Sequence, residues 1–353
     1  MNKDIKASIC CITYNQKKYI RQCLDGFVMQ RTNFKFEVLI HDDASTDGTT
    51  DIIREYEKKY PDIIKPIYQT ENKYSRGISI TRNYIYPNIK GKYVAICEGD
   101  DYWTDPYKLQ KQVYFLDAHP DYSICFHPAK VIYEGFLDKH EDEIYPSNYK
   151  NLKPNIETLL EWNFIPTASV MYRWRFKEGE DLNQYYPTRI YASDIHMHLL
   201  HAKVGKIKML PEVMSVYRKH PQGITSCFEG SWDALYLKHG LTMLEQYKYI
   251  YENITEFSEN YKNIKLLTEF KNILSTYLIN NKFDEVNTLI NLYSNLLLDY
   301  LNNSMLIDNT GDLYKNKYKK YKKYFNLLLI LSFILLITFT YFIFKTHFIW
   351  RNL

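Results

Sequence analysis

The chain has 353 residues, enough for one large domain or for one domain with an appendage. Lysine and arginine number 45 against 41 aspartate and glutamate, a net charge of +4. Six of the lysines crowd into residues 315–323, which leaves the rest near neutral and argues against a broad nucleic-acid footprint. The six cysteines, Cys10, Cys11, Cys23, Cys97, Cys125 and Cys227, form no CxxC pair and match no zinc spacing. Most sit in apolar runs, where a thiol behaves as a small hydrophobe in a reducing compartment. Residues 1–6 are polar, so no secretory signal is expected.

In chain order, residues 7–13 read as a first strand. Tyr14-Asn15-Gln16 then turns into a helix over 19–30 with Ile20, Leu24, Phe27 and Val28 on one face. Residues 36–41 are a second strand, and Asp47-Gly48 opens a helix through Ile52, Ile53 and Tyr56 with Asp47 as its N-cap. A strand over 63–68, a helix over 76–86 ended by Pro87, and a strand over 93–97 follow. Thr104-Asp105-Pro106 starts a helix whose inner face is Leu109, Val113 and Leu116. This β-α-β-α-β-α-β order specifies a three-layer, Rossmann-like α/β half over 1–120. Residues 121–226 loosen into strand and loop, with a helix expected over 193–204 and a strand over 206–217. A helical extension is expected over 227–301, then a basic linker over 302–324.

Residues 325–344 carry no charge. A helix of that length spans ~30 Å, the thickness of a bilayer core, so one transmembrane helix is expected, followed by a short tail, 345–353. The lysine-rich flank on its N-terminal side is expected to keep the large N-terminal part at the cytoplasmic face of the cell's inner membrane, single-pass.

Two acidic clusters stand out. Asp42-Asp43 and Glu98-Gly99-Asp100-Asp101 each follow a short apolar run that reads as a buried parallel strand. In an open α/β sheet, ligands bind outside the carboxyl ends of the strands. Carboxylates at two such ends would share one crevice and repel each other unless a cation sat there, which suits a divalent metal carrying a diphosphate.

Three strings carry a resemblance. Residues 8–15 (SICCITYN) resemble the opening strand and TYN turn of the family 2 glycosyltransferases. Residues 38–49 (VLIHDDASTDGT) are similar to that family's DDxSTDGT element, and residues 91–103 (GKYVAICEGDDYW) to its GxYxxxxDxDD element. The likeness covers about residues 5–225, within a catalytic domain expected over 1–226. It implies the GT-A nucleotide-diphospho-sugar transferase fold and inverting transfer of a sugar from a nucleoside diphosphate donor to a hydroxyl acceptor. It further implies Thr13, Tyr14 and Asn15 at the nucleoside, Asp43 on a base N–H, Arg82 near the diphosphate, and Asp100 on Mn²⁺ or Mg²⁺. Asp101 would hold a metal-bound water or a sugar hydroxyl. Glu98 departs from the commoner Asp, which leaves its role open between ribose and metal. Asp194 would be the general base that deprotonates the acceptor, its alternative being a plain cap of the following helix. Arg218 and His220 would close over the diphosphate, with His220 a further metal ligand; a bland surface loop is the alternative.

His196, His198 and His201 follow Asp194 at helical spacing but supply too few convergent ligands for zinc. Trp103 is either the rim of the sugar site or core. The anchor points to a lipid-linked or glycan acceptor in surface polysaccharide or glycolipid synthesis, with a homodimer possible and no nucleic acid among the partners. Competing readings are a nucleotidyltransferase, disfavoured because residues 14–18 hold no glycine, and an inactive sugar-nucleotide-binding membrane scaffold, disfavoured by the retained acids.

Overall fold

The computed structural model describes residues 5–136, 141–177, 179–187, 189–223, 232–254 and 259–293. Residues 1–292 form one compact unit. Its centre is a seven-stranded sheet. β1 (Ile5–Thr13), β2 (Lys35–Asp42) and β3 (Ile64–Tyr68) pair in parallel from the middle to one edge. β4 (Tyr93–Ile96) pairs in parallel on the other side of β1. The strand order therefore reverses between β1 and β4, the switch point at which an α/β sheet opens a crevice at its carboxyl edge.

Helices α1 (Ile20–Val28), α2 (Thr49–Lys59) and α3 (Lys108–Ala118) bury their apolar stripes against one face of this sheet. Ile20, Cys23, Leu24 and Phe27 of α1 meet Ile9 and Cys11 of β1, while Ile53 and Tyr56 of α2 meet Val38 and Ile40 of β2. The period-2 alternation of the strands and the 3.6 period of the helices thus point at one core. Trp103 belongs to this core: it is buried, packs edge-on against Phe27, and donates from Nε1 to Ala168 O at 2.8 Å. It is not at a sugar-site rim.

The helix expected over 76–86 forms only in its second half, and not as an α-helix. A 3-10 turn at Tyr74–Arg76 ends at Gly77, whose φ of +75° is the left-handed conformation that breaks a helix. A π-helical turn, Thr81–Ile85, then runs straight into a 3-10 turn, Tyr86–Asn88, with Pro87 accommodated in its first turn, where no N–H is needed.

Past α3 the chain adds β6 (Tyr122–Phe126), after the two-residue β5 (Tyr102–Trp103), and then β7 (Ala129–Tyr133) and β8 (Glu143–Tyr145). Next come α4 (Ile156–Glu161), β9 (Met171–Arg173), α5 (Ser193–Ala202), β10 (Lys206–Met209) and β11 (Ser215–Lys219). β9 inserts antiparallel between β4 and β6, and β10 closes that edge. The strand expected over 206–217 is in fact two, split around Pro211 and assigned to different sheets. β11 joins a second sheet, β5-β11-β7-β8, which rises beside the acidic loop.

The extension contributes α6 (Trp232–Asn253), α7 (Glu259–Ile279) and α8 (Phe283–Leu292). Among the described residues no helix is long and apolar enough to cross a membrane. The linker over 302–324, the expected membrane helix over 325–344 and Cys227 all lie outside the described residues.

Candidate active site

Three strand ends meet at the crevice. Backbone pairing carries on past β4, with Cys97 N–H donating to Cys10 O and Gly99 N–H to Ile12 O, so the acidic loop is stitched to β1. Gly99 allows that approach: a Cβ there would lie 2.4 Å from Gln16 Oε1 and 2.9 Å from the Thr13 side chain. Thr13 Oγ1 donates to Gln16 Oε1 at 2.8 Å, Asn15 takes φ +51°, and Tyr14 is exposed beside them. Asn15 Oδ1 accepts from Thr46 N–H, which ties the β1 turn to the loop after β2.

Both carboxylates of the first acidic cluster accept hydrogen bonds from the chain around them. Asp42 is buried and accepts from Ser45 N–H, Ser45 Oγ at 2.5 Å, and Thr50 Oγ1. Asp43, also buried, accepts Lys73 N–H at 2.8 Å on one oxygen and Tyr74 N–H at 3.0 Å on the other. The N-cap of α2 is Gly48, at φ +98°, and not Asp47 as expected; Asp47, one residue earlier, accepts from Thr49 N–H and Lys17 N–H and clamps the turn after β1 to the start of α2.

The second cluster is different. Glu98 is half-buried and pushed up to about 8 by burial first and then by the charges of Asp100 and Asp194. Asp194, on the first turn of α5, is likewise raised by burial, against the opposing pull of first-turn backbone amides and of Asn163. The repulsion expected between the two sequence clusters is therefore placed elsewhere: the charge that Glu98 feels besides Asp100 comes from Asp194. Asp101 is buried and raised by that burial and by Asp100, and its Oδ1 accepts Arg218 N–H at 2.8 Å.

β11 delivers the remaining groups. His220 Nε2 lies 3.0 Å from Asp100 Oδ2, and the imidazole is raised chiefly by that bond. The Arg218 guanidinium is locked in place by the Asp100 carbonyl, Gln22 Oε1 at 2.6 Å and Glu134 Oε2 at 2.9 Å, over the Tyr19 ring. It holds the acidic loop to the second sheet. Arg82 stacks on Tyr186 at 4.6 Å and lines a cavity of about 820 Å³ with Ser79, Asn83, Tyr84 and Asn183.

Among the described residues no three His, Cys, Asp or Glu side chains surround one point as a preformed cage. Asp100 and His220 supply a carboxylate and an imidazole at hydrogen-bond distance, a donor pair suited to Mn²⁺ and less so to Mg²⁺. Glu98 is raised by burial first, and a cation would relieve the further rise that comes from Asp100 and Asp194. A partial site for a divalent metal thus fits these residues.

Two residues around Asp194 carry no local sequence signal. Asn163, in the loop after α4, donates from Nδ2 to Asp194 Oδ2 at 2.9 Å. Gln246 of α6 accepts Tyr191 N–H and Ala192 N–H, each at 3.0 Å, and donates to Ala192 O at 2.6 Å. The helical extension thereby grips the strand of chain that enters α5. His196, His198 and His201 line the buried side of α5 in an aromatic setting with Tyr172 and Tyr186, and act as core rather than as ligands.

Comparison with known proteins bears on the family and the fold. An uncharacterized protein of Mycobacterium tuberculosis is 46% identical over 217 residues, 62% of this chain and 60% of its own length. An uncharacterized glycosyltransferase of Nostoc sp. is 29% identical over 225 residues, 61% of this chain and 65% of its own. The matched region thus spans less than two thirds of either relative. Among solved structures, TarS 1–349 of S. aureus aligns with a TM-score of 0.51 at 22% identity, covering 79% of this chain and 74% of that one, a likeness of fold. Residues 8–219 match the description Glycosyl transferase family 2, more than half of the chain, which therefore belongs to that family.

Proposed function

We propose that this chain transfers a sugar, with inversion, from a nucleoside diphosphate donor to a hydroxyl acceptor. The observation that carries the proposal is the convergence of Glu98, Asp100 and Asp194 at the carboxyl edge of β1 and β4. Support comes also from the family and from relatives. TarS, 26% identical over 222 residues, is named a poly(ribitol-phosphate) β-N-acetylglucosaminyltransferase, and one of its structures holds UDP-GlcNAc.

In this reading Thr13, Tyr14, Asn15 and Asp43 receive the nucleoside, and Arg82 meets a phosphate oxygen through its guanidinium. Asp100 and His220 would hold Mn²⁺ or Mg²⁺, whose contribution is to neutralise charge on the departing diphosphate. Asp194 takes the proton of the acceptor hydroxyl. The freed oxygen attacks the anomeric carbon from the face opposite the leaving group, and the bond to the diphosphate oxygen breaks with its electron pair leaving on the diphosphate. Burial raises Asp194, which makes it a stronger base than an ordinary carboxylate at the cost of an acid limb at higher pH. The charge-free stretch over 325–344 and the lysines before it favour a lipid-linked acceptor at the cytoplasmic face of the membrane.

The test is donor hydrolysis by purified protein with Mn²⁺, using UDP-N-acetylglucosamine and GDP-mannose as probes. Slow release of the nucleoside diphosphate is expected, with Asp100→Ala abolishing it. Asp194→Asn should lower turnover by about 10² to 10⁴ while leaving nucleoside diphosphate binding intact. Pyrophosphate release from a nucleoside triphosphate and a sugar phosphate would instead identify a nucleotidyltransferase, and binding without turnover an inactive scaffold.

A further inference from the structure

We propose that Asn163 is the positioning residue of Asp194, fixing one carboxylate oxygen so that the other is presented to the acceptor hydroxyl. The inference rests on reading Asp194 as the base.

The orientation of the Asn163 amide is set from both sides. Its Oδ1 accepts Ile165 N–H at 3.2 Å, which a nitrogen there could not do, so Nδ2 must face Asp194, and it does so at 2.9 Å. The residue is itself anchored: Tyr145, from β8, donates to the Asn163 carbonyl. Three elements far apart in sequence therefore converge on one carboxylate, β8, the loop after α4, and α5. A hydrogen bond from a neutral amide to an ionised carboxylate favours the charged form and holds the geometry, without adding the net charge that a lysine would bring to a crevice built for an anionic donor. The other groups whose charge states are tied to Asp194 are Glu98 from the acidic loop, Tyr86 from the turn after β3, Tyr145 from β8 and Tyr172 from β9. Burial raises all three tyrosines and keeps them neutral, so none sets a second negative charge against Asp194.

The test uses the full chain, Mn²⁺, and whichever of UDP-N-acetylglucosamine or GDP-mannose the wild type hydrolyses, with kcat and KM measured from pH 4.5 to 9. Asn163→Ala should lower kcat roughly tenfold with KM for the donor unchanged. Asn163→Asp keeps the volume and the oxygen facing Ile165 but sets a second carboxylate against Asp194. It should move the acid limb of kcat upward by about half a pH unit or more. Nucleoside diphosphate affinity, which the base does not touch, reports that each variant is folded. An unmoved acid limb in Asn163→Asp, or a parallel rise of KM in both variants, would overturn the proposal. Asp194→Asn separates the two ideas. If it keeps full turnover, the base reading falls and this inference with it. If it is inactive while the Asn163 variants behave as wild type, only the positioning role falls.

Discussion

The two acidic clusters look alike in sequence and differ in how their charge is used. Asp42 and Asp43 are satisfied by hydroxyls and backbone amides of the loops that follow β2 and β3, and their work is to shape those loops. Asp100 meets an imidazole, and Glu98 is raised by burial first and then by the charges of Asp100 and Asp194. A carboxylate whose lone pairs are filled by its own chain stabilises the fold. One held against other carboxylates costs stability, and that cost is the mark of a site awaiting a cation or a proton. Asp43 stands between the two, since each of its oxygens keeps a lone pair for a nucleobase N–H.

The sharpest way to break the contrast is to remove one member of each cluster. Asp42→Ala deletes a buried acceptor and leaves the Ser45 and Thr50 hydroxyls without their partner, so we expect about 2–4 kcal/mol of destabilisation, read by urea unfolding. Asp100→Ala should abolish turnover without lowering the unfolding midpoint, since it removes a charge that raises Glu98 and Asp101. Equal loss of stability in both variants would erase the distinction.

A smaller effect is expected at Gln246. Gln246→Ala breaks three hydrogen bonds to the chain entering α5 while touching nothing in the crevice. We expect about 1–3 kcal/mol of lost stability and a fall in kcat through the displaced Asp194, with nucleoside diphosphate affinity retained. A variant with wild-type kcat would show that the helical extension supports the fold but not the chemistry.

What could be read from the chain follows from how local each signal is. β1, β2 and β4 announce themselves because an apolar run, a turn and an acid are contiguous. The core face of α1 to α3 follows from the 3.6 period alone. The half from 121 to 226 is another matter. Its strands are three to five residues long, and β9 finds its place only through pairings such as Tyr93 with Arg173, eighty residues apart. No local pattern encodes that. Asp194 was recognisable through the family resemblance, but Asn163 was not, because a lone asparagine in a loop looks the same whether it turns a chain or orients a base. The region 76–86 differs for the opposite reason: its pattern suits one α-helix, yet the left-handed Gly77 confines the helical backbone to its second half, in π and 3-10 turns.

The smallest effect extends the contrast to pH. His196, His198 and His201 are buried on α5 and lowered by burial to about 4, 3 and 3, so all three are neutral in the folded protein at pH 7. The unfolded chain takes up protons as pH falls through its ordinary histidine value near 6.5, whereas the folded chain does not until much lower. Their stabilisation is therefore fully present above pH 6.5 and is lost as pH falls from there toward 4 and 3. Each histidine should cost about 1–2 kcal/mol of unfolding free energy between pH 7.5 and pH 5. His201 stacks on Tyr172 at 4.4 Å and bonds only the Met197 carbonyl through Nδ1, so His201→Leu should flatten part of that slope. A pH dependence unchanged in this variant would move the acid sensitivity away from His201, and not to the acidic loop, whose raised carboxylates change stability with pH in the opposite sense.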